Sequence, residues 1–257
     1  MKRRPLLGLK SSLTLDWVLT GKNKRPIYVK LVTKETLKAD HADVFQGFGY
    51  YIELKEDNEP VSQPPRHVTQ TLCKSLREKL QETEQRQVNT PVNEPSDRVQ
   101  NIVIAQKAHK SLRLCLNPKE LNKNIKREQF EIPAFEQISA QLGSKTFFSI
   151  LDQKDSYWQV KLNRSSSYLT KFNTPFGRYH FLMMPFGINS VSEILQKKAF
   201  QTFGDIGGVH CLPDDTLIAA RNDEEHGRIL QKVLTRAREY NVRFDPKKLQ
   251  FKRHEVK

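Results

Sequence analysis

Two adjacent carboxylates, Asp214 and Asp215, interrupt an apolar run in "VHCLPDDTLIAA", and a third, Asp152, closes the run "KTFFSILD". Like charges side by side between strand-like segments have two readings. One is a surface turn, since proline followed by aspartate and a small polar residue commonly reverses a chain. The other is a metal site, because paired carboxylates repel unless a cation lies between them. The stretch alone leaves both open. If the two strands share one sheet, the three carboxylates form a cluster that divalent ions relieve. Mg²⁺ takes one or two carboxylates together with waters and substrate phosphates. Two such ions about 4 Å apart can activate a 3′-hydroxyl and steady a leaving pyrophosphate. The chemistry in view is phosphoryl or nucleotidyl transfer.

The rest of the chain bears on that choice. Lys and Arg outnumber Asp and Glu by 43 to 29, giving a formal charge of +14. That excess suits a polyanion, with nucleic acid the first candidate and a merely basic protein the plain alternative. At 257 residues the chain has room for one large domain or two ordinary ones. Cys73, Cys115 and Cys211 are far apart and show no Cys/His ligand spacing, which argues against zinc and disulfides and for a reducing compartment. No apolar stretch reaches membrane-span length, and "MKRRPLLGLKSSL" lacks the long apolar core of a signal peptide. The expectation is an intracellular chain, cytoplasmic or nuclear, with no membrane partner.

Several elements must position the carboxylates. Residues 1–60 read as strands and loops, and the proline-rich "EDNEPVSQPPRH" as a linker. Leu72, Cys73, Leu76 and Leu80 recur at helical spacing, and "NTPVNEPSDRVQ" breaks that helix. "NIVIAQKAHKSLRLCLNP" reads as a hairpin about a basic turn, and "KELNKNIKREQF" as a short helix plus loop. "FEQISAQLGS" is helical and stopped by Gly143, and "KTFFSILD" is a buried strand. "RYHFLMMPFG" is another strand, and "NSVSEILQKKAFQTF" a helix opened by Asn189 or Ser190. Strand, acidic turn and strand follow, then an amphipathic helix on Ile229, Leu230, Val233, Leu234, Ala237 and Tyr240. The sum is an α+β fold in which helices back an antiparallel sheet.

In order along the chain, "RLCLNPKELNKNIKRE", "FFSILDQKDSYWQVKLN", "LTKFNTPFGRYHFLMMPFGINSVSEILQ", "LPDDTLI" and "RFDPKKLQF" resemble the reverse transcriptase of a gypsy-type LTR retrotransposon. The likeness runs from about residue 40 to the last residue, and "PLLGLKSSLTL" is similar to the tail of such an element's protease region. It implies the fingers and palm of a right-hand polymerase with the thumb absent. Residues 1–45 are then a remnant of protease tail and linker. Residues 46–257 are the reverse transcriptase-like part, with fingers mainly in 66–150 and palm mainly in 146–257. The thumb and ribonuclease H would come from a longer polyprotein.

By position, the resemblance makes Asp152, Asp214 and Asp215 the metal-binding and catalytic aspartates, holding two Mg²⁺ ions for which Mn²⁺ can substitute. It makes Tyr157 the ring under the incoming sugar that excludes a 2′-hydroxyl; a core aromatic beside Trp158 is the alternative. Arg113 matches the arginine that grips the triphosphate, and Lys107 or Lys110 a fingertip lysine on phosphate. Lys248 resembles the lysine proposed to protonate pyrophosphate, with Lys247 an equal contender. Phe186 and Gly187 fit the motif under the nucleotide pocket. Asn124, Arg127 and Gln196 are template contacts or, the better expectation, polar surface. The implied partners are an RNA or DNA template with primer, and a dNTP.

Departures from the family pattern matter here. Its hairpin is Tyr-x-Asp-Asp, whereas Leu212 and Pro213 precede the pair in this chain. Pro213 lacks a backbone N–H at the strand-to-turn junction and is expected to re-aim the carboxylates. Val191-Ser192-Glu193 replaces "APE", Ser156 the glycine before the gate aromatic, Asn117 a common aspartate, and Arg98 a tryptophan. The expected function is RNA-directed DNA polymerisation, impaired by truncation and by the "LPDD" hairpin. The alternative is a catalytically inactive nucleic-acid-binding remnant or pseudogene product.

Overall fold

A computed structural model of the chain describes residues 49–106 and 112–255, preceded by two short strands at 17–20 and 26–29. In chain order the elements begin with β1 (Trp17–Thr20), β2 (Pro26–Val29), α1 (Gln70–Gln85), β3 (Asn89–Pro91), β4 (Asn101–Gln106), β5 (Leu112–Asn117) and α2 (Lys119–Asn124). Then come α3 (Phe135–Leu142), β6 (Phe147–Asp152), a 3₁₀ helix (Ser156–Gln159), α4 (Arg164–Leu169), β7 (Phe172–Thr174) and β8 (Gly177–Phe181). The chain continues through α5 (Val191–Phe203), β9 (Val209–Cys211), β10 (Asp215–Ala220), α6 (Asp223–Glu239) and β11 (Gln250–Arg253). Helices with antiparallel sheets make this an α+β fold, as the pattern predicts. It divides into two compact units, one of residues 1–42, 132–154 and 196–257, the other of residues 43–131 and 155–195.

The first unit is built on a four-stranded sheet in the order β11-β6-β10-β9. Strand β6 is apolar almost throughout because it is covered on both faces. Phe148 and Ile150 lie in register with Ala219 and Leu217 of β10, and that face packs against Ile138 and Leu142 of α3. Ser149 faces the other way, where its Oγ lies 2.9 Å from His226 Nε2 of α6. Burial holds His226 down at about 4, so the ring is neutral at physiological pH. Helix α6 starts where the Asn222 side chain accepts from Glu225 N at 2.9 Å. Acidic residues fill its first turn and Arg236 and Arg238 its last, which complements the helix dipole. Ile229, Leu230, Val233, Leu234 and Ala237 form its buried stripe as expected. Tyr240 does not belong to that stripe: it is the C-cap and is exposed, because the backbone leaves helical geometry there. Strand β11, which no apolar pattern announces, is held by Lys252 N donating to Ser149 Oγ at 3.0 Å.

The second unit has a β4–β5 hairpin, a three-stranded β3-β8-β7 sheet and a core that includes Leu76, Leu80, Leu114, Leu121, Phe172, Phe181 and Met184. "NTPVNEPSDRVQ" does break the helix, yet its first three residues form β3 and pair with β8. Helix α1 closes in a doubled turn, with Val88 N on Thr83 O and Gln87 N on Glu84 O, both at 2.8 Å. Gln87 takes the left-handed position there, with φ of 53°. Arg98, at the family's tryptophan position, is buried and ties in the linker by donating to Asn58 Oδ1 at 3.0 Å and Glu59 O at 3.3 Å.

Candidate active site

Strand register assembles the carboxylates. Asp152 ends β6 and Asp215 begins β10, and the two are direct cross-strand partners. They stand on the face shared with Ile150 and Leu217, because side chains alternate along each strand. Asp214 lies in the preceding turn, where its carbonyl accepts from Gln153 N at 2.7 Å. Lys248 Nζ donates to Asp152 at 2.8 Å and 3.1 Å. That hydrogen bond raises the lysine above its usual range, so it stays charged. Burial first, then the charges of Asp152 and Asp214, push the Asp215 carboxyl up, while Lys248 pulls it down. Asp215 is thus a carboxylate short of positive charge.

Among the described residues, no three or more His, Cys, Asp or Glu side chains are gathered into ready metal-binding geometry. The three-carboxylate cluster is therefore an electrostatic neighbourhood and not a preformed cage. Asp215 belongs to the strand and Asp214 to the turn before it, near enough for its charge to act on Asp215. Hard oxygen donors, a facing carboxylate pair and an under-neutralised Asp215 still suit Mg²⁺, which needs only one or two carboxylates when a phosphate substrate completes its shell.

Pro213 leaves the hairpin's closing bond in place. Leu212 N donates to Asp215 O at 2.8 Å, so the bond that closes the hairpin uses an N–H that is present. Pro213 and Asp214 are the two residues of the turn between the paired Leu212 and Asp215. The expected re-aiming through a lost ladder bond has no broken bond behind it. Leu212 packs with the cluster of Ile138, Phe148 and Leu217.

The other candidates gather in the second unit. Tyr157, on the 3₁₀ helix, stacks on Phe186 with centroids 4.3 Å apart. Arg113 of β5 places its guanidinium 4.8 Å from the same ring. Leu116 N donates to Phe186 O at 2.8 Å, which draws the following residue against the strand. Gly187 has φ of 114°, and a Cβ there would overlap the Leu116 carbonyl. Only glycine fits. Lys107 and Lys110 lie outside the described residues. Lys247 is held by its own backbone N on Asp245 Oδ1, whereas Lys248 is the one at Asp152.

The polar-surface expectation fails for Gln196 alone of the three. Gln196 is buried and donates to Cys211 O at 2.8 Å, because α5 turns it toward β9. Asn124 donates to Glu59 O and Glu120 O, both at 3.2 Å. Arg127 is exposed, as expected, and donates to the buried Glu193 at 2.8 Å and 2.5 Å. Sequence reasoning missed Arg86, which bonds Asp155 at 2.5 Å from 69 positions away. No helix among the described residues is long and apolar enough to cross a membrane.

Residues 104–257, more than half of the chain, match the sequence profile described as "Reverse transcriptase (RNA-dependent DNA polymerase)". The chain belongs to this family. This reverse transcriptase domain is 28% identical over 190 residues to the "Retrovirus-related Pol polyprotein from transposon 412" of Drosophila melanogaster. The match covers 71% of the chain and 15% of that polyprotein, which makes it similar to one part of a retrotransposon product. Among solved structures it is similar to the foamy viral protease-reverse transcriptase dRH in complex with double-stranded DNA, with a TM-score of 0.69 and 19% identity. That likeness covers 83% of the chain and 36% of the viral one. The foamy viral protease-reverse transcriptase with an RNA/DNA hybrid gives a TM-score of 0.70 at 16% identity, covering 90% and 36%. The architecture is that of a reverse transcriptase, and the chain spans a small part of the polyprotein relative it matches.

Proposed function

We propose that this domain extends a primer 3′-hydroxyl with a dNTP on an RNA or DNA template, and that Asp152, Asp214 and Asp215 hold the metal. The observation that carries the reading is the direct pairing of Asp152 with Asp215 at the polar end of two apolar strands, with Lys248 already on Asp152. In this reading residues 46–257 are the reverse transcriptase-like part, with fingers mainly in 66–150 and palm mainly in 146–257, and residues 1–45 are a remnant of protease tail and linker. Template and primer are consistent with the net charge of +14 and with the nucleic acids named for the two foamy viral structures.

Bound Mg²⁺, or Mn²⁺ in its place, would lower the hydroxyl's pKa and neutralise charge on the phosphates. The chain's own residues do the rest. Asp215 and Asp152 supply oxygen donors on one sheet face. Lys248, kept protonated by Asp152, is suited to give a proton to the leaving pyrophosphate. Arg113 offers a planar, always charged fork to the triphosphate, and Phe186 supports it from 4.8 Å. Lys107 or Lys110 adds phosphate contact from the fingertip turn. Tyr157, stacked on Phe186, is the ring that would lie under the incoming sugar and exclude a 2′-hydroxyl.

The test is primer extension on a poly(rA)–oligo(dT) duplex with Mg²⁺ or Mn²⁺. It compares the chain, its Asp215→Asn variant and the double revertant Leu212→Tyr/Pro213→Val. The reading requires extension that Asp215→Asn abolishes. Extension by the revertant alone would assign the defect to the hairpin. Duplex binding that falls steeply with salt and ignores Asp215→Asn, with no extension by either chain, would favour a binding remnant.

A further inference from the structure

Tyr157 stands on a 3₁₀ turn of four residues, too short to fix a ring by its own hydrogen bonds. The turn starts at Asp155, whose φ of 49° and ψ of 45° are left-handed. Aspartate is among the few non-glycine residues that visit this region, and here a specific neighbour holds its side chain. That neighbour is Arg86. Its Nη2 meets Asp155 Oδ2 at 2.5 Å, and its guanidinium lies 4.9 Å from the Trp158 ring. One planar cation thus grips the residue two before Tyr157 and the residue after it. Arg86 is itself held firmly, as the C-cap of α1 beside the left-handed Gln87 and the doubled closing turn. From Trp158 the contact continues to Phe186, 6.1 Å away edge-on, and so to the ring on which Tyr157 stacks. All of these residues lie in one compact unit.

We propose that Arg86 is a positioning residue for Tyr157. By clamping Asp155 and Trp158 it holds the tyrosine ring at one height, and so sets how strongly the site rejects a ribonucleotide. The claim rests on the reading of Tyr157 as the sugar-facing ring. Nothing in the local sequence announces it, because the clamp joins residues far apart in the chain.

The full chain carries its own probe. It has two tryptophans, and Trp17→Phe leaves Trp158 as the reporter. In that background Arg86→Ala should raise acrylamide quenching of Trp158 about threefold and lower discrimination between dCTP and CTP about fivefold, a loss typical of one cation–π contact with its ion pair. Arg86→Lys, which keeps the charge and loses the fork, should recover part of both. Glu82→Ala removes the arginine's other partner, 3.3 Å away in the same helix, and should move neither. Unchanged quenching in Arg86→Ala, or an equal change in Glu82→Ala, overturns the clamp. Raised quenching with unchanged discrimination overturns the role in sugar choice. If the unmutated chain incorporates no nucleotide, the polymerase reading falls by itself. Titration of Trp158 fluorescence with dCTP and with CTP then decides whether Arg86 governs the choice.

Discussion

The two units hold their candidate residues by different means. In the first, the register of β6 against β10 sets two carboxylates opposite each other, and Lys248 supplies a counter-charge. In the second, side chains stack: Arg113 and Tyr157 on Phe186, and Arg86 on Trp158. Register places atoms through many cooperative backbone bonds, so a single side-chain change leaves it intact while removing the chemistry. Stacking places atoms through packing, so one change alters geometry and stability together. Carboxylates held close without a cation also work against folding, whereas stacked aromatics work for it.

That contrast can be broken most directly at the register pair. Asp152→Asn keeps the strand and should cut primer extension about a thousandfold or more, with an unchanged far-ultraviolet spectrum. Activity that survives within tenfold would remove the pair from the chemistry. On the stacking side Gly187→Ala should destabilise the chain by about 2–4 kcal/mol, since it combines a forbidden φ with an overlap on Leu116. A denaturant midpoint within error of the parent would mean that the Phe186–Gly187 backbone is not pinned to β5.

A gentler test uses pH and metal. Folding raises the Asp215 pKa, so the folded chain holds that proton more tightly than the unfolded one. The stability from this group is full below about pH 3.9, the unfolded value, and is lost as pH rises through the folded value. At pH 7 without divalent ions, Asp215→Asn should therefore melt about 2–4 °C above the parent. Added Mg²⁺ should raise the parent's melting temperature and leave the variant's unchanged. A variant that melts lower at pH 7 would contradict the crowding of carboxylates. The smallest effect is expected at Arg127→Ala, which strips the partner from a buried Glu193 and should cost about 1 kcal/mol by chemical denaturation. A variant losing template affinity with no loss of stability would instead make the exposed Arg127 a nucleic-acid contact.

Much of this was legible beforehand. The β4–β5 hairpin, β6, α6 and the acidic hairpin follow from apolar runs and helical spacing, because each buries a whole face. Strand β11 was not legible, since "QFKR" is short and polar and pairs only because Ser149 and β6 supply partners. Burial of Gln196 was hidden for the same reason: a glutamine on an amphipathic helix reads as surface until β9 offers it a carbonyl.

By itself the sequence determined the residue types, the α+β pattern and the end of each apolar strand at which a carboxylate stands, since these depend on local periodicity and composition. Only the tertiary structure decided that Asp152 faces Asp215, that Lys248 and not Lys247 reaches it, and that Arg86 clamps the Tyr157 turn. Those contacts join residues 63, 96 and 69 positions apart. Pairings of that range depend on strand register and on the packing of whole elements, which no local stretch of sequence contains.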